Sequence, residues 1–176
     1  MIKTIDILPR GWKVSFTITP KDIVKNWSSI LHATQGGDTE HDGDSTPSIR
    51  FNPDSLTPFI CSSVNGNKYY CYTMAALSLN EETTIQVQQI QSPENFLYYY
   101  SIYINGKLIK HEINTKPQIF KNVKYYAGDP WYEPANATIK NFQLTTYKHT
   151  GIIHKILLET LPTFIFTFLQ RSHYSY

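Results

Sequence analysis

Four acidic residues crowd one short stretch: Asp38, Glu40, Asp42 and Asp44 lie within seven positions, with Gly36, Gly37 and Gly43 beside them. Carboxylates on a glycine-bent loop are the ligands a calcium ion takes, because it is a hard cation wanting about six to eight oxygens. Asp38, Asp42 and Asp44 are therefore the candidate metal ligands, and calcium the candidate cofactor. The spacing departs from the EF-hand pattern, and His41 is not a calcium ligand, so a solvated loop is the plainer reading. Glycoside hydrolysis needs a pair of carboxylates, about 5–5.5 Å apart in retaining enzymes. On a strand that means acids at alternate positions, and no such run exists: Glu81 and Glu82 are adjacent and would point to opposite faces. No G-x-S-x-G elbow is present either. These patterns point away from catalysis.

The stretch YAGDPWYEPANAT, 126–138, offers binding chemistry instead. Pro130 and Pro134 fix their φ angles and lower the loop's entropy. Trp131 is then either a rigid platform for a ligand or a plug over the end of the fold. Because Trp131 and Tyr132 are adjacent, one is expected to point in and the other out. The expectation is that Trp131 is the buried plug and Tyr132 the solvent-facing ligand contact, with Tyr126 and Asp129 beside it. Tyrosine runs at 69–70, 98–100 and 125–126 put aromatics on both faces of any sheet they form. One set belongs to a core, and the other is available to sugar rings.

The chain has two cysteines, Cys61 and Cys71, on either side of Asn65-Gly66. A two-residue turn pairs Cys61 with Tyr70; a three-residue loop, with Asn67 in the left-handed region, pairs Cys61 with Cys71. A disulfide and two buried thiols both remain open on this count. Asn26-Trp27-Ser28 and Asn136-Ala137-Thr138 are glycosylation sequons, permissive rather than informative.

The elements that must position these residues are strands. In GWKVSFTITP, Trp12, Val14, Phe16 and Ile18 share one face and polar residues the other. Asn65-Gly66 and Asn105-Gly106 are hairpin turns between aromatic and β-branched runs. About ten strands precede residue 150, with no helical pattern among them. Many short strands with turn signals at near-regular spacing indicate an all-β sandwich or barrel. With 176 residues, charged residues at 17% and a net charge of +2, the chain reads as one domain without a nucleic-acid partner. Residues 1–9 read as a lead-in, 10–148 as the sandwich and 149–176 as a hydrophobic tail. That tail is a helix, a strand or an irregular segment appended to the domain. Its apolar run holds His154, Lys155, Glu159 and Pro162, which argues against a membrane contact.

The opening NWSSILHAT segment, the YYSIYINGKLIKHE hairpin and the stretch FKNVKYYAGDPWYEPANATIKNFQL resemble laminin-G-like and concanavalin A-like lectin/glucanase domains of extracellular animal proteins. Val123 through Tyr132, followed by Ile139 and Asn141, carries most of the likeness, which spans about 10–148. The resemblance implies a two-sheet antiparallel jelly-roll sandwich. Its members are mostly adhesion or carbohydrate-binding modules, some with calcium. A galectin-type pocket is not implied, since Arg50 and Asp54 stand where that family's His and Arg belong. The expectation is a non-catalytic binding module of an extracellular or cell-surface protein, with a glycan as ligand. The alternatives are a structural or protein–protein adhesion domain without a sugar site and, third, a glycoside hydrolase-like enzyme. The start MIKTIDILPRGWKVSF has no apolar signal region, so the chain reads as a cytoplasmic protein or a fragment of a secreted one.

Overall fold

The alternation in GWKVSFTITP becomes burial. Trp12, Val14, Phe16 and Ile18 are at most 2% exposed, and they line one face of β2 (Gly11–Pro20). The computed structural model describes residues 1–148 and 154–158, and within them every regular element is a strand. The others are β1 (Lys3–Leu8), β3 (Ser28–Thr34), β4 (Ser48–Phe51), β5 (Pro58–Val64), β6 (Asn67–Thr73), β7 (Thr83–Gln91), β8 (Tyr98–Ile104), β9 (Lys107–Asn114), β10 (Phe120–Ala127), β11 (Glu133–Pro134), β12 (Ala137–Lys148) and β13 (His154–Leu158). One sheet runs β1-β10-β3-β4-β5-β6, with β11 pairing β3; the other runs β13-β12-β2-β7-β8-β9. All pairings are antiparallel except the short β11–β3 contact. This is the jelly-roll sandwich expected from the sequence.

The core lies between the sheets. Leu31, Ile49 and Ile60 are cross-strand partners on β3, β4 and β5, all fully buried. Ile85, Val87, Tyr100 and Ile102 face them from the second sheet's side. Tyr100 and Tyr125 are the tyrosines that belong to the core, and burial pushes both hydroxyls' pKa values up. In β12 the register shifts between Lys140 and Gln143 around Asn141, whose φ is 56°. That irregularity lets Ile139, Phe142 and Leu144 all pack inward despite uneven spacing.

One segment differs from its sequence reading, and another narrows it. The lead-in 1–9 contains β1, which pairs with β10 and buries Ile5 and Leu8. Within the tail, 154–158 is a strand on β12, which selects the strand among the three alternatives. The rest of 149–176, and the readings placed on it, lies outside the described residues.

The β5–β6 hairpin resolves the cysteine question in a third way. Asn65 and Gly66, with φ of 57° and 74°, form a two-residue turn, and Val64 pairs with Asn67. The register then shifts, because Ser63 alone stands opposite Lys68 and Tyr69. Beyond this bulge Cys61 faces Cys71, and the two form a disulfide. The two-residue turn is right, and its bulge supplies the register that a three-residue loop was needed for.

Candidate ligand-binding face

The outer face of the first sheet is built from cross-strand partners. Tyr126, His32, Ser48, Cys61 and Cys71 form one row, and Arg50 and Phe59 part of the next. Sequence patterning would leave such a face solvated. Here loops 35–47 and 128–134 fold over it, so His32 and Arg50 are 0% and 2% exposed. All seven residues of β3 are buried, which erases its alternation.

Asp129 organises the second loop. One carboxylate oxygen, Oδ1, accepts the backbone N–H groups of Trp131 and Tyr132, each at 3.0 Å. This local bond is what an Asp at the start of a turn supplies. The other oxygen lies 3.0 Å from His32 Nδ1, and His32 Nε2 lies 2.5 Å from the Asp44 carbonyl oxygen. Both ring nitrogens therefore face oxygen atoms, which fixes the orientation of the ring. Burial is the largest single influence and would raise the Asp129 pKa, but the bonds the carboxylate accepts, led by that from His32, together outweigh it and hold the carboxyl below its ordinary value. Gly128, at φ 71°, starts the loop where an added Cβ would sit 3.2 Å from Pro134. At the far side Glu133 and Pro134 pair with Ser28 and Ser29 of β3, and Asn26 Nδ2 donates to Glu133 Oε1 at 2.5 Å.

Arg50 anchors the other half. Its guanidinium pairs with Asp38, donates from Nη1 to the Tyr69 hydroxyl at 3.0 Å, and lies under the Tyr132 ring. The Tyr132 hydroxyl donates to Asp38 Oδ2 at 2.8 Å. Burial, reinforced by the bond to Asp38, pushes the Tyr132 pKa up to about 12. Burial raises the Tyr69 pKa too, opposed by Arg50. The Arg50 cation is thus neutralised internally by Asp38. What solvent meets is aromatic: Trp131 at 41% exposed, tilted over His32 with ring centroids 5.2 Å apart, and Trp27, packed on Phe59 at 5.3 Å.

The four residues singled out for ligand contact, Tyr126, Asp129, Trp131 and Tyr132, do meet on this one face. The assignment of Trp131 as plug and Tyr132 as exposed contact is reversed: Tyr132 is half-buried over Arg50, and Trp131 projects. The physical reason is Arg50, a buried cation that needs an aromatic face and a hydroxyl-bonded carboxylate above it. The three acids proposed as metal ligands are not brought together. Asp38 is bonded to Arg50 and Tyr132, Asp44 accepts from the backbone of Gly37 and His41, and Asp42 is exposed. Among the described residues no group of three or more His, Cys, Asp or Glu side chains is placed to hold a metal. Asn26 and Asn136 are both exposed. His32, Arg50, Phe59 and Trp27 were not picked out as site residues from the sequence, because their importance comes from loops distant in the chain.

No family model matches the chain, and no curated protein matches it in sequence. Solved structures match in fold. The receptor-binding domain of botulinum neurotoxin D aligns with a TM-score of 0.54 and 15% identity, over 80% of this chain and 34% of that one. The corresponding domain of botulinum neurotoxin type G aligns at 0.51 and 14%, over 77% and 34%. A binding domain of botulinum neurotoxin DC, in complex with SialylT, aligns at 0.50 and 15%, over 76% and 31%. This chain thus spans about a third of the length of those chains. At such identity the likeness is one of fold, a β-sandwich shared with receptor-binding domains.

Proposed function

We propose that this domain is a carbohydrate-binding module whose ligand lies across Trp131 on the outer face of the first sheet. The observation that carries the reading is an exposed tryptophan held on a loop that is fixed from below. Asp129 pins the turn, His32 pins Asp129, and two prolines limit the backbone. A pre-ordered aromatic gives up little entropy on binding. Its apolar face suits the C–H face of a sugar ring, and the polar tips of Asn26 and Tyr126 lie on the elements next to it. The internal pairing of Arg50 with Asp38 leaves neither of those charges without a partner in the base. One of the similar structures is a binding domain in complex with SialylT, which favours the same ligand class.

The role is binding rather than catalysis, since each buried carboxylate on this face is occupied by protein donors. The Cys61–Cys71 disulfide supports a site of action in an oxidising, extracellular setting. A glycan array probed with the full chain tests the reading. The expected result is retention on one structural class of glycan, with competition by the free sugar. An empty array would favour the protein–protein adhesion alternative.

A further inference from the structure

Two of the three tryptophans reach solvent, and both do so over the outer face of the first sheet. Trp12 belongs to the core at 2% exposed, while Trp27 is 36% and Trp131 41% exposed. Trp27 lies on Phe59 with ring centroids 5.3 Å apart, as Trp131 lies on His32. Phe59 points outward from β5, since its neighbour Ile60 is fully buried in the core.

The register sets the spacing of the two rings. His32 pairs with Ser48 and Ser48 with Cys61, so Phe59 lies two strands across from His32 and two residues along. With strands about 4.8 Å apart and about 3.4 Å per residue, the residues beneath the two tryptophans stand roughly 12 Å apart. Aromatic surface fills the interval. Tyr132 covers Arg50, the cross-strand partner of Phe59. Tyr69 bonds the same Arg50 and packs edge-on against Phe59 at 6.2 Å.

The two tryptophans are also fixed to one another. Trp27 ends the segment 21–27, which has no regular structure of its own. Asn26 Nδ2 ties that segment to the Trp131 loop through Glu133 Oε1 at 2.5 Å. The Lys21 N–H donates to the Asn136 carbonyl at 2.8 Å, and the Val24 carbonyl accepts the Asp54 N–H at 3.1 Å. An exposed ring on a connection held in this way gives up little freedom on binding.

We propose that Trp27 is a second platform of the same site, and that the ligand is a linear oligosaccharide laid across β3, β4 and β5 rather than a single terminal sugar. The proposal rests on the carbohydrate reading of Trp131. A gap of roughly 12 Å is wider than one sugar ring, so only a chain of several rings touches both platforms. Once one ring is stacked on Trp131, the contact with Trp27 forms within the same complex and adds to affinity without a second loss of translational freedom. The floor between offers the intervening rings the half-buried Tyr132 and Tyr69, with Arg50 already paired to Asp38.

Affinity for linear glycans of increasing length tests it. The probes are immobilised homo-oligomers of glucose, galactose, mannose and N-acetylglucosamine, each from mono- to hexasaccharide, presented to the full chain. Wild type is expected to bind one series with affinity rising by about tenfold or more between the disaccharide and the tetrasaccharide. Trp27→Ala should lose that rise, and Trp131→Ala should weaken binding to every member. Trp27→Met keeps an apolar cover on Phe59 without a ring, and gives the same comparison should the alanine variant fail to fold. A folded Trp27→Ala or Trp27→Met chain that keeps the full rise with length would overturn the second platform and leave the Trp131 reading standing. Retention of none of these probes by wild type, or no gain in affinity with length, would overturn it as well. Equal binding of one series by wild type and a folded Trp131→Ala chain would overturn the carbohydrate reading on which it rests.

Discussion

The Tyr132 ring covers the Arg50 guanidinium, with Cζ 4.0 Å from the ring centroid, and its hydroxyl bonds Asp38, the carboxylate that neutralises the same cation. One side chain thus closes a buried charge from two directions. It also leaves its neighbour, Trp131, to face solvent.

Truncation of the two neighbours should therefore have unequal effects. Tyr132→Ala uncovers Arg50 and removes a charge-assisted bond, and is expected to cost about 2–3 kcal/mol. Trp131→Ala removes a side chain that is 41% exposed and should cost about 1 kcal/mol or less. Chemical denaturation of both variants measures the difference. A larger loss for Trp131→Ala would restore the plug assignment.

Asp38→Asn should be more damaging than its partial exposure suggests. It leaves Arg50, which is 2% exposed, without its counter-charge. The expected cost is about 2–3 kcal/mol, below that of a fully buried pair because water still reaches Asp38. Arg50→Met in the same background should recover part of the loss, since the unpaired charge is then gone. A double-mutant cycle without such recovery would contradict this account of the pair.

These two cases mark what the sequence could and could not carry. The β2 alternation was readable because a strand's period of two maps directly onto burial, and the Asn-Gly turns because the left-handed backbone they need is a local property. Tyr126, Asp129, Trp131 and Tyr132 could be grouped because they lie within one loop and its strand. Which of Trp131 and Tyr132 turns inward was decided by Arg50 on β4, and nothing near residue 131 announces it. His32 was hidden similarly: both faces of β3 are covered, one by the core and one by loops, so its pattern carries no contrast. The bulge at Lys68 and Tyr69 was invisible because it shifts register without a glycine to mark it.

Acid should weaken the loop through Asp129. Its pKa is lower in the folded chain than the ordinary 3.8. A depressed carboxyl contributes stability that is fully present above the ordinary value and lost as pH falls through the folded one. Melting temperature should therefore fall as pH drops below about 4, and Asp129→Asn should fall less steeply over that range. Parallel pH profiles for the two proteins would show that Asp129 is not a contributor.

The disulfide closes a short loop, Cys61 and Cys71 standing at a sequence separation of 10. The Cys61→Ser, Cys71→Ser double variant is expected to lose about 2–3 kcal/mol. Added reductant should lower the wild-type melt and leave the variant's unchanged.

The central claim is that Trp131 is a platform for a sugar ring. The most direct measurement is the binding isotherm of the best glycan from an array, taken on wild type and on Trp131→Ala, with the melt of each recorded alongside. The account predicts that the variant melts within about 1 kcal/mol of wild type and binds at least about tenfold more weakly. A folded Trp131→Ala variant that binds the glycan as tightly as wild type would contradict it.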